Sequence, residues 1–200
     1  MPAGRAVRPV APGIRCRPVS RLSQAIAEGD GISILVEVDD AAGAHTAEKQ
    51  GADGLVAHRS ASEVRASSQL PLLHLGGAIA ARGVAADAVV VDADLALWDE
   101  ANALGLECVV RVSDTDELER ALEQLDPEIL LLSADPDSED DPLEVLLELL
   151  HDVPAGKLAI AELREATAED VAELERAGVD AVLVSAADVT ALVPAEPPEV

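Results

Sequence analysis

Short runs of branched aliphatic residues alternate with more polar, helix-like segments along most of this chain of 200 residues. The runs are nearly continuous in their apolar residues, which is typical of strands buried on both faces of a parallel sheet. They predict eight strands, over residues 32–38, 53–58, 71–75, 86–93, 106–112, 127–133, 157–163 and 179–185. Strands of this kind with helices between them favour an α/β fold with a parallel sheet.

The segments between the strands carry helix signals. Helices are predicted over residues 44–52, 60–69, 95–105, 142–152 and 186–193. Two more begin at recognisable capping residues. Ser113 or Asp114 can cap a helix whose apolar residues recur three or four positions apart along one face. Thr167 and Asp170 form a capping box at the start of a helix that runs to Gly178.

The connection between the third and fourth strands, residues 76–85, is short for a full helix. The succession of eight strand–helix units predicts a compact TIM (β/α)8 barrel, a single domain with a short helix between strands three and four. A doubly wound open sheet is the alternative, since it also alternates strands with helices. We expect residues 1–18 to form a flexible basic arm, residues 19–193 the barrel domain and residues 194–200 a tail.

Acidic residues dominate the charge of the chain. There are 39 Asp and Glu residues against 14 Lys and Arg, which gives a formal net charge of −25. Such a charge repels nucleic acid and anionic membrane surfaces, so we expect neither as a partner. The core is aliphatic because Trp98 is the one aromatic residue, and this leaves little surface on which bases or sugars could stack.

The scarcity of lysine suggests the environment in which the protein works. Lys49 and Lys157 are the two lysines, and Arg supplies the remaining positive charge. Acid excess with few lysines indicates a high-salt cytoplasm, where the Debye length falls to about 3 Å near 1 M salt. A GC-rich genome that favours Arg codons is the alternative. Because no run approaches the ~20 apolar residues that span a bilayer, we expect a cytoplasmic protein.

Metal and cofactor chemistry is not indicated by the sequence. The histidines have no metal-ligand spacing, although His58 and His74 end neighbouring predicted strands. The acidic segment 135–141 lacks the glycine of a tight calcium turn, so we interpret it as a solvated loop. Two cysteines, Cys16 and Cys108, are too few for a disulfide framework. The sequence therefore predicts no metal and no cofactor.

Several longer stretches resemble one enzyme family. They are SRLSQAIAEGDGISILVEV, QLPLLHLGG, ADAVVVDADL, GLECVVRVSDTDELERAL and KLAIAELREATAEDVAELERAGVDAVLVSAADV, within residues 19–193. The last two are the most specific, because each has strand, cap, helix and glycine-containing turn in the family's order. The chain resembles indole-3-glycerol-phosphate synthase, a ribulose-phosphate-binding barrel of tryptophan biosynthesis.

The resemblance implies a reaction whose catalytic residues are largely replaced here. The family closes a ring with loss of carbon dioxide and water, using a lysine general acid, supporting glutamates and a phosphate-binding site. At the matching positions Glu37 and Glu162 are kept. The family's strand lysines are replaced by Asp39 and Leu75, its strand-five glutamate by Arg111, its Asn-Asn-Arg cluster by Ser133, Ala134 and Asp135, and its phosphate-binding glycines by Arg164 and Ser185.

Three strand residues form the candidate catalytic set. By the resemblance, Glu37, Arg111 and Glu162 point into the barrel near its C-terminal end, where barrel enzymes place their sites. One interpretation is a reconfigured polar site in which Arg111 holds an anion between the two carboxylates. The other is a buried ion-pair cluster that replaced the old site, since buried charges are normally paired.

A second candidate set lies where the last two strands end. Arg164, Ser185 and Ala186 are candidate phosphate-binding residues, acting through a guanidinium, a hydroxyl and the backbone N–H groups of a helix N-terminus. The alternative is that Ser185 is the N-cap of the helix that follows it.

We therefore expect a divergent barrel of this family that lacks the ring-closing decarboxylase activity and acts as a non-catalytic or binding paralogue. The expected ligand is a small anionic or phosphorylated metabolite. The alternatives are an active enzyme of the same family, a carbon–carbon lyase of tryptophan biosynthesis, and an enzyme with an altered reaction on a phosphorylated metabolite. A further hypothesis is an assembly role, in which helix 142–152 packs an aliphatic face on a protein partner or a second copy. The sequence leaves that partner open.

Overall fold

Parallel strands form a closed barrel in the computed structural model, which describes residues 21–29, 31–185 and 188–192. Within these residues the strands are β1 (Ser33–Glu37), β2 (Gly54–Ala57), β3 (Leu72–His74), β4 (Ala88–Val91), β5 (Glu107–Val112), β6 (Ile129–Ser133), β7 (Leu158–Glu162) and β8 (Ala181–Val184). Each strand pairs with its neighbours in the sequence, which confirms the predicted TIM barrel. The open-sheet alternative is wrong, because β1 also pairs with β8 and closes the ring, with Leu35 aligned with Leu183.

Helices connect the strands and cover the outside of the barrel. They are α1 (Arg21–Ala27), α2 (Ala41–Lys49), α3 (Ala61–Ser67), α4 (Ala78–Gly83), α5 (Leu95–Ala103), α6 (Thr115–Gln124), α7 (Pro142–His151) and α8 (Ala168–Ala177). The six-residue α4 is the predicted short helix between β3 and β4. The second helix, α2, begins earlier than predicted, because the Asp40 carboxylate caps it by accepting the Gly43 N–H at 2.7 Å. Among the described residues, no helix has the length and apolar content needed to cross a bilayer.

The helix predicted over residues 186–193 is wrong in its described part. The structure has a 3-10 turn there, Val189–Ala191, whose N-cap Asp188 accepts the Thr190 N–H at 3.1 Å. Pro194 follows closely in the sequence, and proline disfavours helical backbone at the residue before it. The predicted arm (1–18) and tail (194–200) lie outside the described residues, so those domain boundaries stay predictions.

Both capping predictions are confirmed. Asp114 is the N-cap of α6, and its carboxylate accepts the Glu117 N–H at 2.7 Å. Ser113 contributes from just outside the helix, since its N–H and hydroxyl both donate to the Glu117 carboxylate, at 3.0 and 2.8 Å. Thr167 and Asp170 form the reciprocal capping box of α8. These caps fix where α6 and α8 begin, shortly after the ends of β5 and β7.

The strand side chains alternate between two apolar layers. One layer lies inside the barrel, and its hydrophobic members are all aliphatic. Its strand residues are Leu35, Val56, Leu73, Ala88, Val109, Ile129, Leu131, Ile160, Ala181 and Leu183. The other layer packs between the strands and the surrounding helices. Because residues two apart on a strand share a face, the inside positions can be followed along each strand to its end.

The first helix, α1, closes the N-terminal end of the barrel. Leu22 and Ile26 are 0% and 4% exposed and belong to the inside layer. The Ser23 N–H donates to the Glu107 carboxylate at the start of β5, at 3.2 Å. Gly54 begins β2 at this end, and a Cβ there would lie 2.7 Å from a methyl group of the inside layer. The bottom of the barrel is therefore filled by side chains from α1 as well as from the strands.

The apolar face of α7 packs on the outside of the barrel. Leu146 and Leu149 are buried. Further aliphatic residues of the helix are partly buried against the outer layer, namely Leu143, Val145, Leu147 and Leu150. The face considered above for assembly is thus largely used within the chain, and an assembly role stays a prediction.

Candidate functional site

Charged side chains extend the inside layer at the C-terminal end of the barrel. Glu37 and Glu162 are the last residues of β1 and β7, and Arg111 is next to last in β5. Each lies two residues beyond a residue of the inside layer, so the strand period turns it inward. The structure therefore places all three at the end of the barrel that the resemblance implies, and their catalytic role stays a prediction.

Arg164 links the two carboxylates across the end of β8. Its Nη1 donates to Glu37 Oε2 at 2.7 Å, and its Nε and Nη2 donate to Glu162 Oε1 at 3.1 and 2.8 Å. The guanidinium spans this strand end because β8 lies between β7 and β1 in the barrel. Burial acts to lower the pKa of Arg164, but the hydrogen bond to Glu162 and the charges of both carboxylates outweigh it, and the pKa is raised.

Arg111 is held less firmly than Arg164. Its Nη2 lies 3.6 Å from Glu162 Oε2, which is an ion pair without a hydrogen bond. Its Nε is sealed from solvent and has no hydrogen-bond partner among the described residues. In the sequence interpretation Arg111 stood between the two carboxylates. The structure puts Arg164 between the two carboxylates instead. The sequence feature that could have indicated this is the position of Arg164, two residues after Glu162.

The candidate phosphate-binding residues contact carboxylates where the structure describes them. Ser185 donates its hydroxyl to Glu37 Oε2 at 3.1 Å and its N–H to the Arg164 carbonyl at 2.9 Å. Its hydroxyl is not the N-cap of the following turn, because Asp188 has that role. Ala186 lies outside the described residues. Phosphate binding by this set stays a prediction. The negative carboxylates at this end of β8 would repel a phosphate there.

Leu75 is the residue that the resemblance aligns with the family's strand-three lysine. It follows β3 directly, and like Val90 on β4 it packs against the inside layer. Neither of the chain's two lysines lies nearby. Lys49 is in the last turn of α2, which returns towards the N-terminal end of the barrel, and Lys157 precedes β7 and pairs with Asp126. Neither lysine therefore supplies an ammonium group to act as an acid at this sector of the barrel end.

A cleft opens beside Arg111 and Glu162, over the ends of β5, β6 and β7. Its volume is about 680 Å³, within the roughly 300–1,000 Å³ typical of small-molecule sites. Its polar and charged lining residues are Arg111, Ser113, Ser133, Asp135, Ser138, Glu162, Arg164 and Glu165. A smaller cleft of about 280 Å³ lies beside α2 and is lined in part by Asp39. The ion pairs therefore border open space and do not fill this end of the barrel.

His58 and His74 lie side by side, with their ring centres 6.4 Å apart in an edge-on arrangement. His74 is buried, and its Nδ1 accepts the Gly76 N–H at 2.8 Å. Burial lowers the pKa of His74, and a charge on His58 lowers it further. Within the described residues, no group of three or more His, Cys, Asp or Glu side chains could hold a metal ion.

The sequence comparisons place the chain among known proteins. No established family model matches it. A protein of Variovorax paradoxus (strain S110) named indole-3-glycerol phosphate synthase is 34% identical over 188 residues, which cover 88% of this chain and 68% of that protein. The chain belongs to the indole-3-glycerol phosphate synthase family. Indole-3-glycerol phosphate synthases of Acetivibrio thermocellus and Acidithiobacillus ferrooxidans (strain ATCC 53993) are 33% and 35% identical, and the chain spans 42% and 43% of their lengths.

The solved structures that resemble this one are barrels as well. The N-acetylmannosamine-6-phosphate 2-epimerase of Clostridium perfringens gives a TM-score of 0.69 at 16% identity, over 86% of this chain and 92% of that chain. The thiamine phosphate pyrophosphorylase of Pyrococcus furiosus gives 0.65 at 18% identity, over 80% and 93% of the two chains. At these identities the likeness supports the shared fold of this synthase-family chain and nothing more specific.

Proposed function

We propose that this synthase-family barrel does not close the indole ring and instead binds a small metabolite that carries an anionic group. The observation that carries the proposal is Leu75, which packs against the inside layer where the resemblance puts the lysine general acid. A leucine side chain cannot donate a proton. Since general acid–base catalysis contributes roughly 10²–10⁴-fold for each group, losing this group alone would remove most of the rate.

The rearranged charges at the end of the barrel support the same conclusion. The two glutamates that the family shares are kept, but both are bound by the Arg164 guanidinium. Arg111, at the position of the family's strand-five glutamate, reverses the charge there and faces Glu162 at 3.6 Å. Catalysis requires groups placed for charge that develops in the transition state, and these ion pairs are formed before any substrate arrives.

The test is turnover of the family's substrate, carboxyphenylamino-deoxyribulose phosphate, by the purified full chain. We expect no formation of the indole product above the uncatalysed rate, measured by its fluorescence. E37Q and E162Q are made alongside the wild type, with E48Q on the exposed face of α2 as the matched control. Turnover by the wild type that E162Q abolishes and E48Q leaves intact would contradict the proposal.

An enzyme with an altered reaction is the second candidate, and the open cleft of about 680 Å³ beside Arg111 and Glu162 favours it. In this reading Glu37 or Glu162 is the base and Arg111 holds an anionic group of the substrate. The test incubates the chain with a panel of sugar phosphates and keto acids and follows their NMR spectra. Conversion that is lost in E162Q and kept in E48Q would support it, and unchanged spectra for the whole panel would count against it.

A further inference from the structure

Arg111 is a cation with unused hydrogen-bonding capacity. A guanidinium offers five N–H donors, and Arg164 directs three nitrogens at carboxylates. Arg111 makes no side-chain hydrogen bond to any described residue, and its one ion-pair contact, to Glu162, is 3.6 Å long. Because its Nε is sealed from solvent, its two Nη groups are the donors left for a ligand. These Nη groups make no hydrogen bond to a described residue, so an acceptor that enters the cleft can form charge-assisted hydrogen bonds with them.

The place of Arg111 makes these donors accessible to a small molecule. Its side chain is 35% exposed and lines the large cleft. Ser133, the buried last residue of the neighbouring strand β6, lines the same cleft and adds a hydroxyl to its wall. A planar carboxylate matches the spacing of two guanidinium N–H groups, and a hydroxyl beside it can donate to the same oxygens.

The charges around the cleft indicate which charged group the ligand carries in addition to its carboxylate. Its walls hold two guanidinium groups, Arg111 and Arg164, but three carboxylates, Asp135, Glu162 and Glu165. Glu37 adds a fourth carboxylate behind Arg164. A phosphate dianion would enter a region of net negative charge, within a chain whose formal charge is −25. A ligand with an ammonium group beside its carboxylate avoids that repulsion, because Asp135 and Glu165 can face the ammonium while Arg111 holds the carboxylate.

We infer that the cleft over β5, β6 and β7 binds a small zwitterion with an α-amino acid head group, the carboxylate on Arg111 and the ammonium towards Asp135 and Glu165. This inference rests on the proposed function, because it specifies the ligand of the same binding barrel. It moves the anion-binding point away from the end of β8, where Arg164 and Ser185 already contact carboxylates.

The experiment compares four six-carbon probes that differ chiefly in their charged head groups; hexylammonium and hexyl phosphate have one more alkyl carbon than hexanoate, which favours their binding. L-norleucine carries both charges, hexanoate a carboxylate, hexylammonium an ammonium and hexyl phosphate a phosphate. Binding to the full chain is measured by calorimetry at one fixed salt concentration. We expect L-norleucine to bind best, by roughly threefold or more over hexanoate, which is the size expected for an exposed ion pair. Hexyl phosphate should bind more weakly than hexanoate.

Variants of the cleft residues separate the two head-group contacts. R111Q should weaken L-norleucine and hexanoate roughly tenfold or more, because a charge-assisted hydrogen bond is lost. R111K keeps the charge but not the paired donors, so its affinity for these probes should lie between those of R111Q and the wild type. The double variant D135N/E165Q should remove the advantage of L-norleucine over hexanoate while leaving hexanoate bound. R176Q, at an exposed position in the last turn of α8, is the matched control and should bind like the wild type.

Any one of three outcomes overturns the inference. One is tightest binding of hexyl phosphate, and another is binding of L-norleucine that R111Q leaves unchanged while circular dichroism shows a folded chain. The third is the absence of binding by all four probes. The proposed function is judged separately on the same preparation by the turnover assay, since ring closure would reject that proposal whichever probe binds.

Discussion

Arg164 reorganises the C-terminal end of the barrel through a few contacts. Its planar guanidinium holds carboxylates on the two strands that flank β8, and Ser185 adds a hydroxyl to one of them. The side chain is 50% exposed, so solvent screens these pairs and each adds little to stability. Their effect is on chemistry, because the end of β8 presents carboxylates paired with a guanidinium, and these carboxylates oppose the phosphate that the resemblance implies there.

His74 gives a prediction about pH. Its pKa is lowered by burial in the folded chain, so below the unfolded value of about 6.5 the unfolded state binds more protons. This contribution to stability is fully present above pH 6.5 and is lost as the pH falls towards the folded pKa. H74N removes the titration and keeps an acceptor for the Gly76 N–H. Between pH 7.5 and 5.5 we expect its free energy of unfolding to fall less than that of the wild type, by at most about 1.4 kcal/mol per pH unit.

Urea unfolding at several pH values checks this prediction. H45N is the control, because it makes the same replacement at an exposed histidine of α2, away from the buried position of His74. If the free energy of unfolding of H74N instead depends on pH over this range as that of the wild type does, His74 does not titrate differently in the folded and unfolded chains.

At the scale of elements, α1 closes the N-terminal end of the barrel. A barrel of strands with an aliphatic interior needs its N-terminal end closed, or the inside layer would contact water. The two inward residues of α1, Leu22 and Ile26, supply that closure, and Ser23 adds a hydrogen bond to the start of β5. The helix is seven residues long, so its stability must come from this packing and not from its own hydrogen bonds.

Truncating a buried side chain of α1 should therefore lower the free energy of unfolding. L22A removes a fully buried side chain from the inside layer, and we expect a loss of about 2–5 kcal/mol in the free energy of unfolding. The control L97A truncates a leucine of α5 that is 41% exposed, and it should change stability by less than about 1 kcal/mol. Urea denaturation measures both. Equal effects of the two variants would mean that α1 does not seal the barrel.

At the scale of the whole molecule, charge repulsion opposes folding. A formal net charge of −25 is concentrated when the chain folds, and few of the described acidic residues have a basic partner. Salt screens such repulsion over a Debye length that falls from about 10 Å at 0.1 M to about 3 Å at 1 M. The high-salt source expected from the composition stays a prediction, but the repulsion itself can be measured.

We expect the melting temperature to rise by at least about 5 °C between 0.1 and 1 M KCl, where 1 kcal/mol corresponds to about 2–4 °C in a chain of this size. The rise should flatten above about 1 M, because screening is then nearly complete. Differential scanning calorimetry over 0.1–3 M KCl gives both quantities. A rise that continues linearly to 3 M would indicate preferential exclusion of salt from the surface, and no rise would show that repulsion is unimportant.

The pattern of apolar residues was enough to predict the strands and the barrel, and the polar capping residues predicted where α6 and α8 begin. The aliphatic runs that end at Glu37 and Glu162 also determine that these side chains continue the inside layer, since a strand turns alternate residues to the same face. Local rules failed over residues 186–193, where a helix was predicted and the structure has a 3-10 turn at Val189–Ala191. There the signal covers too few residues to outweigh a nearby proline.

The sequence by itself determined which kinds of residue stand at the end of each strand, including Leu75 at the position of a lysine. Only the tertiary structure decided which of them meet. Arg164 binds Glu37 across 127 positions of sequence, because closing the barrel brings β7, β8 and β1 together. Arg111, on β5, is left facing a cleft. The partner of a charged side chain depends on distances of a few ångströms between distant segments, and no periodicity along the chain encodes them.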